Sequence, residues 1–255
     1  MISSVVLVKN QAEQLKKCLE SLTFSDEIIV IDDYSTDNSA DVAEKLGAKV
    51  YKRNLNDDFA QQRNFGMGKA KNEWIFFIDA DEIVSQELAI EMYQQTSQFL
   101  TELNGYYVKR RDYMFSKLLR FGDAGNTKLL RLAKKTKGEW TGKVHERWNI
   151  VGEKGILNAP LNHYPHQSVK EFLFEVNFYS TLRAKELHQK NVKARPYEII
   201  FYPVGKFLVN YFIKLGFLDG VAGIISALIM SFYSFLVRGK LWQLTQVKRP
   251  YEFGN

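Results

Sequence analysis

The strongest constraint in this chain is the stretch Trp74-Ile75-Phe76-Phe77-Ile78-Asp79-Ala80-Asp81-Glu82, where five apolar residues run directly into acids. An unbroken apolar run of that length predicts a strand buried on both faces, as in a parallel sheet. Such strands present their chemistry at the carboxyl end, in the crevice outside the sheet. Asp79 and Asp81 stand at that end. Two residues apart on extended chain, their side chains lean to the same side. Hard divalent cations take oxygen ligands, and Mg²⁺ bridges one or two carboxylates to a substrate's phosphates. This Asp-x-Asp therefore points to a site for a metal and a diphosphate. The competing assignment is a pair of solvated acids capping the next helix.

The preceding residues supply a matching frame. Residues 3–8 read as a first strand ended by Lys9-Asn10, and 11–22 carries apolar residues at helical spacing. Residues 27–31 form a second strand, closed by Asp32-Asp33 and the loop-and-cap cluster Tyr34-Ser35-Thr36-Asp37-Asn38-Ser39. A helix to Leu46 with Gly47 at its end, a short strand over 48–52 and a helical stretch over 58–71 containing Gln62-Arg63-Asn64 lead to the central strand. This alternation predicts an α/β fold with right-handed crossovers and a mostly parallel sheet covered by helices on both faces. No Gly-x-Gly-x-x-Gly follows the first strand and there is no Gly-Lys-Ser/Thr loop. A nucleotide would thus be held by side chains. Asp32 and Asp33 are candidates for a base or ribose, and Arg63 for a base edge or phosphate. Turn-and-cap chemistry is the alternative for the two acids.

Further on, a helix is expected over 86–100 and strands over 105–113 and 128–132, with residues 115–121 and a Gly122-Asp123-Ala124-Gly125 turn between them. Two polar clusters follow: Trp140-Thr141-Gly142-Lys143-Val144-His145-Glu146-Arg147 and His163-Tyr164-Pro165-His166. Three of the four histidines lie in them. Imidazole is a common metal ligand, and nearness to the acidic strand end favours a functional role for His163.

At 255 residues and 45% hydrophobic content, the chain can bury a proper core as one large domain or one domain with an appendage. The single cysteine, Cys18, excludes an intrachain disulfide and a cysteine zinc cluster, and fits a reducing compartment. Residues 1–8 lack a basic n-region and a long apolar run, so no signal peptide is read there. A net charge of +6 fits an anionic partner. The alternative is a non-catalytic protein that binds a membrane surface or nucleic acid through its basic tail, but the cations form no dense patch interleaved with base-stacking aromatics, which argues against it and against nucleic acid.

Taken in order, Val-Lys-Asn, Ile-Asp-Asp-Tyr-Ser-Thr-Asp-Asn-Ser, Gln-Arg-Asn and Phe-Ile-Asp-Ala-Asp-Glu resemble the family 2 inverting glycosyltransferases with the GT-A (Rossmann-like nucleotide-diphospho-sugar transferase) fold. The resemblance covers about the first 165 residues. Within the family the chain looks most like the lipopolysaccharide-core β-1,4-glucosyltransferase group, with support from Val144-His145-Glu146 and Gly216-Phe217-Leu218-Asp219-Gly220. The resemblance implies that Asp32 contacts the base or ribose and that Arg63 binds the nucleotide. Lys9, Asn10, Asp33 and Ala80 would complete the donor site. Asp79 would hold ribose or metal, Asp81 would ligate Mg²⁺ or Mn²⁺, and His163 would be a further ligand. Many members carry a Glu-Asp pair that supplies the base. This chain has His145-Glu146 in its place, so Glu146 is the expected base, with Asp123 and His145 as alternatives. The implied reaction moves a hexose, glucose on the resemblance, from a UDP-sugar to a cell-envelope glycan or glycolipid acceptor. A nucleotidyltransferase would share the acids and metal, but would be expected to carry a glycine-rich phosphate loop that this sequence lacks.

From Val169 the composition changes. Lys170, Arg183, Lys185, Lys190, Lys193 and Arg195 alternate with apolar residues, and Arg195-Pro196 breaks the chain. Residues 197–215 are mostly apolar, with Lys206, Asn210 and Lys214 recurring every four. That stripe reads as the polar face of a helix lying in a membrane interface. Residues 220–237 are uncharged and borderline for spanning. Spanning would carry Arg238, Lys240, Lys248 and Arg249 across, against the positive-inside rule. A soluble chain would bury the aromatics in protein, for instance across a homodimer interface. A lying segment instead sinks them, with Trp242, beside anionic headgroups, and is the favoured expectation. The expected organisation is a catalytic domain over 1–168 (donor half 1–100, acceptor half 101–168) and a helical region over 169–255. The expected location is cytoplasmic, peripheral on the inner face of the cytoplasmic membrane.

Overall fold

The structure is a computed structural model that describes residues 1–97, 102–125, 127–143 and 146–246. The expected helix end near Leu100, and Val144, His145, Lys248 and Arg249, lie outside the described residues. The chain divides into two compact units, Met1–Asp112 with Asn126–Pro165, and Tyr113–Gly125 with His166–Asn255.

In chain order the elements up to residue 163 are β1 Ile2–Val8, α1 Ala12–Glu20, β2 Glu27–Asp32, α2 Ser39–Lys45, β3 Lys49–Lys52, α3 Phe59–Lys69, β4 Trp74–Asp79, β5 Glu82–Val84, α4 Gln86–Thr96, β6 Gly105–Met114, β7 Lys117–Leu119, β8 Lys128–Lys134, β9 Gly138–Thr141, β10 Arg147–Ile150 and β11 Lys154–His163. The sheet order of the first unit is β3-β2-β1-β4-β8-β6-β11-β5. β1 is parallel to β2 and β4, and β2 to β3. β8 runs antiparallel to both β4 and β6, so the sheet is mixed beyond its parallel half.

β4 is buried along its apolar length because each face meets a separate core. Trp74, Phe76 and Ile78 join Leu15, Cys18 and Leu19 of α1 and Leu88 and Met92 of α4. Ile75 and Phe77 join Ala60 of α3 and Trp140 and Trp148 of the β9–β10 hairpin. The two-residue alternation of a strand thus feeds both layers. α3 comes close to the sheet at Gly66, where a Cβ would lie 2.6 Å from Val5 Cγ1. Two elements differ from the sequence expectation. β5 follows the acidic turn directly, and β11 is a ten-residue strand of which the sequence reading singled out only His163, at its end. Both are short on sequence signal: β5 is three residues long, and β11 carries Asn158, Pro160 and Asn162 among its apolar positions.

The second unit holds α5 Val169–Gln189, α6 Pro196–Leu208, a π turn Val209–Ile213, a 3-10 turn Gly216–Asp219 and α7 Val221–Gln246. Segment Tyr113–Gly125 makes a hairpin turn at Phe115 and Ser116, both with positive φ, and is pinned to these helices. The Asp219 carboxylate accepts the backbone N–H groups of Arg120 (3.1 Å) and Phe121 (2.9 Å). Asp123 pairs with Lys206 (2.6 Å) and Lys214 (2.7 Å). Gly122, at φ +66, sits against Asn210, where a Cβ would lie 2.8 Å from Oδ1. The stripe Lys206, Asn210 and Lys214 is turned onto the 122–123 turn. Helical spacing identifies a shared face but not what that face meets.

Candidate active site

β4 delivers Asp79 to the sheet's carboxyl edge, where two arginines take its carboxylate. Oδ1 accepts from Arg63 Nη2 at 2.9 Å and Oδ2 from Arg131 Nη2 at 2.5 Å. Arg63, on α3, also donates through Nε to Glu146 Oε1 at 2.9 Å. Its guanidinium lies 4.8 Å from the Trp140 ring centre, a cation–π arrangement. Arg131, on β8, reaches Glu82 Oε1 at 2.9 Å as well. Glu82 is fully buried and accepts the backbone N–H of Asp79 at 2.9 Å. Both arginines are buried, a position that charged groups tolerate only when paired. Burial pushes the Asp79 carboxyl up, but Arg131 and Arg63 outweigh it and hold the group well below the usual carboxylate range. At Glu82 burial prevails over Arg131, so its carboxyl is raised.

The extended chain assumed across Asp79-Ala80-Asp81 does not hold. β4 ends at Asp79, and Ala80 and Asp81 form a turn. The two carboxylates consequently have separate partners. β5 pairs with β11 so that Glu82 stands opposite His163, and β6 pairs with β11 so that Asp112 does too. His163 Nε2 lies 3.3 Å from Asp81 Oδ2, and Nδ1 lies 2.7 Å from Asp112 Oδ1. Burial alone would lower the imidazole's affinity for a proton. The Asp81 charge and the Asp112 hydrogen bond reverse that and raise its pKa to about 9. Among the described residues, no group of three or more His, Cys, Asp and Glu side chains is arranged to hold a metal ion.

The loops after β1 and β2 form a third cluster. Asp32 Oδ1 accepts the N–H of Ser35 at 2.9 Å, while Oδ2 is buried and has no partner among the described residues. Asp33 is bonded on both oxygens, to Lys9 Nζ at 2.7 Å and to the N–H of Leu55 at 2.9 Å. Asn10, in the left-handed region, accepts the N–H of Thr36 at 2.7 Å. Ala80 is buried. Of the alternative bases, Asp123 belongs to the second unit and holds two lysines, and His145 lies outside the described residues.

Sequence reading missed Arg131, Asp112 and the engagement of Glu82. A lone charge inside Leu129-Leu130-Arg131-Leu132 was a usable signal, because a cation in a buried strand requires a carboxylate opposite. Asp112, in the polar run Arg110-Arg111-Asp112, gave none.

Comparison with known proteins identifies the family. The profile described as Glycosyl transferase family 2 matches residues 3–141. The lipopolysaccharide core biosynthesis glycosyltransferase LpsC of Rhizobium meliloti is 30% identical, over 98% of this chain and 95% of its own. An uncharacterized glycosyltransferase of Rickettsia typhi is 28% identical, over 97% and 89%. Among solved structures, residues 1–349 of S. aureus TarS align over 97% of this chain and 93% of theirs, at 16% identity and a TM-score of 0.45, too loose a likeness to carry weight. The matched profile spans more than half of the chain and LpsC matches nearly all of it, so the chain belongs to glycosyl transferase family 2 and is a glycosyltransferase of the GT-A fold.

Proposed function

We propose that this enzyme transfers a hexose, glucose on the family resemblance, from a UDP-sugar to a cell-envelope glycan or glycolipid, with inversion and with Mg²⁺ or Mn²⁺. The observation that carries the reading is the pairing of Asp81 with His163. Two ligands at right angles around an octahedral ion of this size lie about 3 Å apart, close to the 3.3 Å between Asp81 Oδ2 and His163 Nε2. Metal-binding histidines commonly give their other ring nitrogen to a carboxylate, as His163 does to Asp112. Asp81 and His163 would hold the ion, which when bound offsets the charge of the leaving diphosphate. An imidazole in the set favours Mn²⁺ over the oxygen-seeking Mg²⁺. Asp79, with both oxygens on arginines, we assign to holding Arg63 and Arg131.

The remaining roles follow from the chain's own groups. The free buried oxygen of Asp32 suits a donor N–H of the base or a ribose hydroxyl. Glu146, held by Arg63, takes the acceptor hydroxyl's proton as that oxygen attacks the anomeric carbon. The bond from that carbon to the diphosphate oxygen breaks, and the nucleoside diphosphate leaves with the electron pair. Lys9 and Asp33, bonded to each other, and Asn10, which accepts the N–H of Thr36, keep the donor loops in shape, with Asp33 also accepting the N–H of Leu55. The lipopolysaccharide-core relative supports an envelope acceptor, and with it a cytoplasmic enzyme at the inner face of the membrane.

The test is calorimetric titration with a panel of uridine and guanosine diphosphate sugars, with and without Mn²⁺, on the natural chain and Asp81→Ala. The expected result is Mn²⁺-dependent binding of one uridine diphosphate sugar, lost in the variant. Binding of none, or equal binding in Asp81→Ala, would overturn the reading.

A further inference from the structure

The second unit carries an apolar surface that its own packing leaves open. α6 is mostly apolar, yet none of its thirteen residues is buried. Ile200 and Phe201 are 64% and 67% exposed, the turns leading to α7 add Phe212, Ile213 and Leu218, and α7 begins with the exposed Val221. So many large apolar side chains left open on one helix and the turns that follow it point to an interaction site.

Charge selects the partner. From 196 to 246 the chain has two acids, Glu198 and Asp219. Asp219 is buried and capped by backbone N–H groups. Glu198 is largely enclosed and engaged by the Arg195 N–H and by Arg238. The same stretch carries Lys206, Lys214, Arg238 and Lys240. Asp123 answers two of these lysines with one carboxylate, which leaves that cluster net positive. A surface rich in exposed apolar side chains, poor in open carboxylates and net cationic complements an anionic lipid interface.

We propose that α6 and its turns to α7 form the surface by which the chain lies on an anionic bilayer, in its plane. This adds to the proposed envelope acceptor and rests on that reading only for its biological purpose. α7 is long and apolar enough to cross a membrane by length and composition. Its packing argues against crossing. Phe172 and Val176 of α5 share a core with Ala222 and Ile229, and Ala184 of α5 shares one with Leu241. Lys240 Nζ donates to Asn177 Oδ1 (2.8 Å) and Thr181 Oγ1 (2.7 Å) of α5. α5 therefore accompanies α7 over most of its length. It carries Glu171, Glu175, Arg183, Lys185 and Glu186, charges that a crossing α7 would drag into hydrocarbon.

The test sediments the full chain, without donor or metal, with phosphatidylcholine vesicles containing phosphatidylglycerol. The natural chain is expected to sediment with them and to be released by alkaline carbonate. Ile200→Glu with Phe201→Glu is expected to cut partitioning by about two orders of magnitude, the loss of two large apolar side chains from the interface. The thermal midpoint should stay, because both sites are exposed. Four results would overturn the proposal: no vesicle binding, unchanged binding in the double variant, resistance to carbonate as for a crossing helix, or a dimer in solution that the double variant dissolves. The assay contains no nucleotide sugar. Its failure leaves the transferase reading standing, and failure of that reading leaves this surface to be judged by itself.

Discussion

Asp79 in the sheet unit and Asp123 in the helical unit each hold two cations with one carboxylate. The side chains of the two acids are similarly open, at 31% and 26%. Their cations are not: Arg63 and Arg131 are 6% and 5% exposed, whereas Lys206 and Lys214 are 34% and 47%. A buried guanidinium cannot be left without a carboxylate, whereas a half-exposed ammonium returns to water. The first arrangement is thus a condition of folding beside the site, and the second is a surface tether.

The sharpest way to break this comparison is Arg131→Ala, which strips Asp79 and the fully buried Glu82 of a shared partner. Removing one member of a buried pair costs about 3–5 kcal/mol. A urea titration should show a loss of that order, and a loss below about 1 kcal/mol would put Arg131 in the same class as the lysines. Glu146→Gln separates chemistry from clamping, because Arg63 keeps Asp79. A fall in kcat of about 10² to 10⁴ is expected with donor affinity within a few-fold. A near-natural kcat would move the base elsewhere, to Asp123 or His145.

Asp112→Asn leaves both clamps intact and removes the carboxylate behind His163. Loss of such a partner lowers metal affinity by about 10- to 100-fold, to be read by Mn²⁺ titration of the folded protein. Unchanged affinity would detach His163 from the ion.

The smallest effect belongs to Asp123→Asn, at about 0–1 kcal/mol at neutral pH. Burial raises the Asp123 carboxyl, but the Lys206 and Lys214 hydrogen bonds outweigh it and lower its pKa below the ordinary value. A lowered folded pKa gives stability that is present above the unfolded value, about 3.9 for Asp. That stability is lost as pH falls through the folded value. The difference in thermal midpoint between the natural chain and Asp123→Asn should therefore be constant near neutrality and shrink below about pH 4. A difference that instead grew on acidification would contradict the tether.

Much of the sheet unit was legible beforehand. The five apolar residues before Asp79 specified a strand with two buried faces, and Trp74 and Ile75 do enter opposite cores. Cys18 falls in the core with Leu15 and Leu19, inside the stretch 11–22 whose apolar spacing read as helical. The polar stripe of 206, 210 and 214 was legible as one face of a helix, but its facing was not. It meets Asp123 and Gly122, chosen by a turn more than eighty residues earlier.

By itself the sequence determined the alternation of strands and helices, the acids at the end of β4 and the glycosyltransferase family, because propensity, periodicity and motif order are properties of contiguous residues. Only the tertiary structure decided what those acids face. The turn at Ala80 sends Asp79 to two arginines and Asp81 to a histidine. The register of β5 and β6 on β11 brings Glu82, Asp112 and His163 together. Register is set by the packing of whole strands, and a slip of one residue would turn each side chain to the other face.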